Sequence, residues 1–186
     1  MSGYPWSAGC DESRTSGAEG GPEKRTGSNP GTALRSDPYI MGEANRSAIA
    51  TLVERTTRFV MLAHLPAGDH TAPTVAEALT TRMKSLPQHL RGSLTWDQGS
   101  EMAEHHRISI AADLPIYFCD PASPWQRGSN ENTNGLLRQY FPKGTDLAVH
   151  GPEDLEHVAH LLNGRPRKTL NWKTPAENMQ HLITTS

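Results

Sequence analysis

Two carboxylates in this sequence stand where carboxylates can do chemistry. Asp97 directly follows an apolar run that ends at Trp96, and the nearby Gly99 favours a turn. In open α/β sheets, functional sites form outside strand ends of this kind. Glu131 falls in the first turn of a candidate helix, and 33 residues lie between it and Asp97. Each carboxylate taken alone also fits a structural role, as a turn residue or as a partner of a helix dipole.

Phosphodiester chemistry gives a reason to bring such a pair together. Two Mg²⁺ ions about 4 Å apart can activate a water or a 3′-hydroxyl and stabilise the leaving oxygen. Mg²⁺ prefers carboxylate oxygens, so an Asp and Glu pair predicts a site for Mg²⁺ (or Mn²⁺) rather than for Zn²⁺. Four histidines lack a cysteine or carboxylate at matching spacing, and we interpret them as structural or surface residues: His105, His106, His157 and His160.

The helix that carries Glu131 is predicted to have one polar and one apolar face. Asn134 and Arg138 follow Glu131 at helical spacing and share its face. Leu136, Leu137 and Tyr140 form the opposite, core-facing side. The polar face is interpreted as a phosphate-binding surface, with the solvated side of an ordinary amphipathic helix as the alternative.

The elements that must position these residues follow from periodicity and from breakers. A hairpin is predicted across the polar stretch at Glu54, which we interpret as a surface charge. Strands are predicted at Tyr39–Met41, Ala48–Leu52, Arg58–Leu65, Ser93–Asp97 and Pro115–Cys119, and helices at Pro73–Leu86, Glu101–Ala111, Ser129–Tyr140 and Pro152–Leu162. This order predicts an α/β fold, a mixed sheet flanked by helices that is compatible with an RNase H-like core.

Composition divides the chain into a tail and one domain. Residues 1–36 are rich in Gly, Ser, Pro and charged residues, and they are predicted to be a disordered tail before a catalytic core at 37–180. The net charge of -2 does not by itself indicate a nucleic-acid binder, whereas the C-terminal third is basic. A phosphate-facing surface and a merely solvated basic face both fit that third.

Compartment is predicted from what the sequence lacks. No apolar run approaches the roughly 20 residues of a membrane span, and the N-terminus has no apolar signal core. Cys119 lies in an apolar run and is predicted to be a buried free thiol, with no disulfide framework. A soluble cytoplasmic protein of a reducing compartment is therefore expected.

Four stretches resemble the IS30 family of DDE transposases. Thr95-Trp-Asp-Gln-Gly-Ser-Glu-Met102 resembles the family's second-Asp motif. Tyr117-Phe-Cys-Asp-Pro121, followed by the run from Ser123 through Asp146, resembles its Glu motif. Asn163-Gly-Arg-Pro-Arg-Lys168 with Thr174-Pro-Ala-Glu177 resembles its C-terminal signature, and Ser47–Arg58 resembles its early strands. The likeness covers about residues 40–178.

The resemblance implies an RNase H-like fold, a triad of two Asp and one Glu, and Mg²⁺. In an ungapped comparison the first Asp falls on Pro38, and Asp37 serves only after a one-residue shift, which turns a strand side chain to the other face. On this basis Asp37, Asp97 and Glu131 are the candidate catalytic and metal-binding residues. The candidate DNA contacts are Arg127, Asn130, Asn134, Arg138, Lys143, Arg165 and Lys168.

The family resemblance also implies binding partners, and three functions remain as alternatives. Expected partners are DNA, both element ends and target, and a second copy or an intact transposase, in a bacterial, nucleoid-associated protein. The family carries an N-terminal helix-turn-helix region, for which residues 1–36 show no helical periodicity, so the chain is interpreted as an N-terminally truncated core. The functions are an active transposase core, a catalytically inactive remnant that binds DNA or an intact transposase, and an RNase H-like nuclease that only hydrolyses.

Overall fold

A computed structural model describes residues 5–8, 39–43, 46–65, 69, 71–96, 102–120 and 128–185, with the backbone alone for residues 5–8. The strands are β1 (Pro5–Ala8), β2 (Tyr39–Met41), β3 (Ala48–Glu54), β4 (Val60–His64), β5 (Ser93–Trp96) and β6 (Ile116–Phe118). The helices are α1 (Ala72–Lys84), α2 (His105–Ala112), α3 (Gly128–Leu137), α4 (Pro152–Asn163) and α5 (Pro175–Thr184). The fold is therefore mixed α/β, as the sequence predicted.

All six strands form one mixed sheet. β3 and β4 are the predicted antiparallel hairpin, with Val53 opposite Val60 and Ile49 opposite His64. β1 pairs parallel with β5, and β5 pairs parallel with β6. β5 and β6 are connected through α2, a helical crossover of the kind usual between parallel strands.

β1 and β2 share one edge of β3. β4 occupies the other edge along residues 49–53, so both of the remaining antiparallel partners must lie on the free side. On that side Trp6 and Ser7 face Glu54 and Val53, while Tyr39 faces Ala50. The two pieces run in the same direction and together act as one composite strand between β3 and β5.

Apolar side chains cover both faces of the sheet and form two clusters. The first cluster combines the even-numbered residues Ala48, Ala50 and Leu52 of β3 with α1, α2 and α5. The second combines Ile49 of β3 with α3 and α4. All seven residues of β3 are buried, which fits a strand covered on both faces. The face that carries α3 and α4 is called the α3 face below.

Asn163 joins the end of α4 to the sheet. Its amide oxygen accepts from the backbone N–H of Val60 at 2.8 Å, and its amide nitrogen donates to the Val60 carbonyl at 2.8 Å. Val60 pairs with Val53 of β3. The two bonds from Asn163 satisfy the backbone N–H and C=O groups of Val60. The first residue of the C-terminal signature therefore has a structural role.

Leu137 anchors α3 to the sheet and is fully buried, while Leu136 is only partly buried. Leu137→Ala should lower the free energy of unfolding by about 2–5 kcal/mol, because it leaves a cavity in the second cluster. Urea denaturation measures this loss, with Leu136→Ala as the matched control that should cost less. An equal or larger loss for Leu136→Ala would mean that the helix is rotated.

The structure corrects several expectations. β1 lies inside the segment predicted to be a disordered tail, because a partner provided by the sheet can order a stretch with little apolar content of its own. α3 ends three residues earlier than predicted, and α5 was not predicted. Cys119 is disulfide-bonded rather than a free thiol; the only other cysteine, Cys10, lies outside the described residues. Among the described helices, none combines the length and apolarity needed to cross a membrane.

Candidate active site

α3 presents Glu131 on the outside of the fold. The helix packs its apolar side on β2 and β3, and Glu131 in its first turn is exposed. Asn134 is half-buried on the same helix. Asn130 is buried, with 1% of its surface exposed, because it faces the protein interior from the first turn. As placed, Asn130 is not on the surface that DNA could reach.

The beginning of α3 is tied to the β3–β4 hairpin. Arg58 in the hairpin donates a hydrogen bond to the hydroxyl of Ser129. Arg58 has a φ of 61°, a left-handed conformation that non-glycine residues adopt mainly in turns. The hairpin geometry therefore fixes where the first turn of α3, and with it Glu131, lies above the sheet.

The end of α3 is tied to β2 by Arg138. Its guanidinium donates to the carbonyl of Met41 at 3.0 Å and to that of Phe141 at 3.4 Å. Burial lowers the pKa of Arg138 from its usual value, although an arginine stays protonated at neutral pH. This residue therefore has a structural contact that the sequence did not predict, and phosphate binding by it stays a prediction.

Glu54 was interpreted as a surface charge, and that interpretation is wrong. Its side chain is fully buried at the end of β3. Its carboxylate accepts from the backbone N–H groups of Thr56 at 3.0 Å and Thr57 at 2.5 Å, and from the Thr57 hydroxyl. Glu54 therefore organises the hairpin turn; the two threonines that follow it were the only sequence signal.

One ladder position in the composite strand lies between its two pieces. β1 continues in register to Ala8 opposite Leu52, and β2 begins with Tyr39 opposite Ala50. The position between them faces Thr51, which is fully buried on β3. Thr51 lies between two residues of the first cluster, so strand alternation turns it to the α3 face. A side chain at the intervening position would share that face.

This register bears directly on Asp37. A β2 strand extended upstream would put Pro38 opposite Thr51 and the next residue, Asp37, opposite Leu52. Ala8 of β1 already occupies the position opposite Leu52. Leu52 belongs to the first cluster, so a side chain opposite it would lie on the sheet face away from α3. Asp37 itself lies outside the described residues, and its role as a ligand stays a prediction that this register does not favour.

Three predicted site residues lie outside the described residues: Asp37, Asp97 and Arg127. Asp97 comes immediately after Trp96, the last residue of β5, which pairs with Ala8 and Phe118. Within the described residues no group of three or more His, Cys, Asp or Glu side chains could hold a metal ion. Of the three predicted carboxylates, only Glu131 lies in the part of the chain that the structure describes.

The remaining predicted DNA contacts are distributed over the C-terminal third. Lys143 and Lys168 are exposed. Arg165 is half-buried, donates to the Tyr140 hydroxyl at 2.5 Å, and lies 5.5 Å from the centre of that ring. Since Tyr140 follows α3, this contact joins the segment after α4 to the end of the helix that carries Glu131.

Comparison with known proteins identifies relatives over most of the chain. It is 52% identical over 144 residues to the transposase for insertion sequence element IS1086 of Cupriavidus metallidurans, which covers 77% of this chain and 42% of the relative. It is 51% identical over 138 residues to the transposase InsI for IS30A of Escherichia coli K12, covering 74% and 36%. The IS4351 transposase of Bacteroides fragilis is 37% identical over 144 residues, covering 77% and 43%. The chain thus spans about two fifths of the length of these curated relatives.

The fold has a counterpart among solved structures. A chain of the cryo-EM structure of the simian T-cell lymphotropic virus intasome in complex with PP2A regulatory subunit B56 gamma matches with a TM-score of 0.54. The match is 16% identical and covers 88% of this chain and 49% of that one. No family model matches the sequence.

The fold and the relatives together define the class of protein, a transposase with an integrase-like fold. The chain belongs to the IS30 family of transposases. The family resemblance read from the motifs is thereby confirmed.

Proposed function

We propose that this chain acts on DNA as the core of a transposase that cleaves and joins DNA strands with Mg²⁺ or Mn²⁺. The observation that carries the proposal is that α3 holds Glu131 over the same face of the sheet as the ladder position opposite Thr51. The family's first carboxylate corresponds to that ladder position, and its last carboxylate corresponds to Glu131. The second, Asp97, would share this face if β5 continued by one residue, since Trp96 belongs to the first cluster.

The strand order supports an RNase H-like sheet. Counting β1 and β2 as one strand gives the order β4, β3, composite strand, β5, β6, with two antiparallel pairings followed by two parallel pairings. Helices lie on both faces of this sheet. The family resemblance implies an RNase H-like fold.

Carboxylates are the ligands that suit a hard divalent cation, so the type of side chain at Asp97 and Glu131 fits Mg²⁺. When bound, the ions would activate the attacking oxygen and stabilise the leaving oxygen at the phosphorus. Glu131 is exposed at the start of a helix and can reach a bound nucleic acid without local unfolding. Asn134 on the same helix would orient a phosphate, and Lys143, Arg165 and Lys168 would hold the DNA backbone.

A second candidate is a catalytically inactive remnant that binds DNA or an intact transposase. The register of the composite strand favours it, because neither extension of the sheet brings a carboxylate opposite Thr51. β1 would continue with Gly9, and β2 would be preceded by Pro38. With only two carboxylates, the chain would retain a DNA-binding surface, and hence nucleoid association, but lose the strand chemistry.

DNA binding by the basic residues tests both candidates. The purified chain should bind a labelled duplex, and binding should weaken steeply with salt because each neutralised phosphate adds about -0.9 to the slope of log K against log salt. Lys168→Ala should weaken binding and make that slope shallower by about one, measured by fluorescence anisotropy. Lys84→Ala, an exposed lysine at the end of α1, is the matched control.

The outcomes separate the functions. Joined products on a supercoiled target with Mn²⁺ support the active core, and cleavage without joined products supports a nuclease. DNA binding without cleavage, together with loss of activity when the chain is mixed with an intact transposase, supports the remnant. Absence of DNA binding at low salt contradicts the active core and leaves only a remnant that binds an intact transposase.

A further inference from the structure

The loop between α4 and α5 presents an exposed aromatic ring that the proposed cleavage site does not use. Trp172 is 70% exposed and is the largest of the exposed apolar side chains in the described residues. Its φ is 65°, and that of the preceding Asn171 is 53°. A bulky side chain in the left-handed region is sterically unfavourable, whereas glycine adopts it freely. The chain thus keeps a tryptophan where the backbone favours a smaller residue, a feature that concentrates at functional positions.

Backbone hydrogen bonds close this loop and fix where the ring is presented. The N–H of Trp172 donates to the carbonyl of Arg167 at 2.9 Å, and the N–H of Arg167 donates to the carbonyl of Lys173 at 3.0 Å. Between them, residues Lys168–Leu170 form a short 3-10 helix. The ring therefore projects from a closed, hydrogen-bonded turn that begins a few residues after α4.

The cations of this loop form no ion pair within the described residues. Other described arginines form ion pairs with glutamates, as Arg82 does with Glu156 at 2.9 Å. Within the described residues, Arg165, Arg167 and Lys168 have no carboxylate within ion-pair distance. Arg165 donates to the Tyr140 hydroxyl and Arg167 donates to the Leu162 carbonyl at 3.3 Å, so both arginines have neutral partners. Their charges, and that of the exposed Lys168, are not offset by a carboxylate among these residues and can attract phosphate oxygens.

An exposed indole with a cationic rim fits one partner chemistry. Basic groups that follow a phosphate backbone, combined with an aromatic ring on which a base can stack, are the elements of single-strand recognition. Bases in an intact duplex are already stacked on their neighbours, so the ring can take only a base that has left the stack. A neutral, apolar partner would make no electrostatic interaction with the cations of the loop.

We propose that the loop Arg165–Lys173 is a DNA-binding element in which Trp172 stacks on an unpaired base while the adjacent cations hold the flanking phosphates. The inference rests on the proposed function, because it takes the chain to be a DNA-binding protein. It adds a preference for distorted or single-stranded DNA, which the carboxylate site does not provide. The loop is thus a specificity element distinct from the cutting site.

Anisotropy titrations with two labelled probes test this inference. One probe is a 30-base-pair duplex, and the other is the same duplex with three unpaired bases at its centre. The chain should bind the second probe about 5-fold or more tightly, the lower end of what one stacked base contributes. Trp172→Ala should reduce this preference to less than about twofold and change duplex binding little, whereas Trp172→Phe should retain most of it. Ile110→Ala, at another exposed apolar side chain, should leave it unchanged.

Trp172→Gly guards against loss of folding as the cause, because glycine suits the positive φ while removing the ring. The inference is overturned if Trp172→Gly, folded by circular dichroism, keeps the full preference for unpaired bases. It is also overturned if the unmodified chain binds both probes equally, and in that case DNA binding and the proposed function stand. If neither probe binds at low salt, the proposed function itself fails.

Discussion

Glu131→Gln should abolish metal-dependent DNA cleavage by the chain, with a loss of at least about 100-fold. Even residues that only support a metal ligand cost about 10–100-fold when replaced, so removal of a direct carboxylate ligand should cost more. Glutamine keeps the size of the side chain and removes its charge. Because Glu131 is exposed, the fold should be unaffected. Nicking and joining of a supercoiled plasmid with Mn²⁺ measure the activity, and Mn²⁺ titration measures binding of the ion.

The matched control is Glu153→Gln, since Glu153 also lies exposed in the first turn of a helix, α4. It should change neither activity nor Mn²⁺ binding, whereas Asp97→Asn should resemble Glu131→Gln. Full activity in Glu131→Gln would remove this residue from the site. If the unmodified chain is itself inactive, Gly9→Asp or Pro38→Asp should create activity by restoring a carboxylate opposite Thr51. Whichever variant becomes active identifies the piece of the composite strand that occupies that position.

Ser7→Pro should destabilise the protein by about 3 kcal/mol or more. β1 lies between β3 and β5 and pairs with both, with Ser7 opposite Val53 on one side and Thr95 on the other. Proline in the middle of a sheet removes a ladder hydrogen bond and introduces a steric clash. Urea denaturation followed by circular dichroism measures the change in the free energy of unfolding.

Ser2→Pro provides the control, because Ser2 precedes β1 in the sequence. It should change the stability by less than about 0.5 kcal/mol. Both variants are compared with and without reductant, since Cys119 is disulfide-bonded. If Ser7→Pro costs no more than Ser2→Pro, β1 is not an integral strand and the central position of the sheet is open.

Sequence patterns predicted the local elements well where one signal dominated. The apolar, β-branched run Ala48–Leu52 and the apolar run after Arg58 predicted the hairpin, since both strands are buried. The apolar spacing from Val75 to Met83 predicted α1, and Pro152 with Gly164 predicted the limits of α4. The α5 helix was not predicted, although Thr174 and Glu177 form a capping box at its start. Hydrogen bonds from Thr174 lower the pKa of Glu177, as expected for a carboxylate in that role.

The candidate site was predicted only in part. Glu131 lies at the start of a helix and is exposed, as its polar surroundings indicated. The sequence did not reveal that Asn130 is buried, because a single asparagine carries no pattern that distinguishes an inward from an outward position. The sequence predicted only phosphate binding for Arg138, whereas its guanidinium contacts two backbone carbonyls. These contacts join residues far apart in sequence, and periodicity contains no information about them.

The sequence by itself determined the family and the α/β class, because ordered motifs and apolar periodicity are local properties, and it nominated two carboxylates as site candidates. Only the tertiary structure decided how the central strand is built. Residues 5–8 are a run of only four residues in a Gly-, Ser- and Pro-rich segment, too short to predict a strand, and they form one because β3 and β5 offer backbone groups on both sides. The same pairing brings Ala8 opposite Leu52, the ladder position that Asp37 would take if β2 were extended in register.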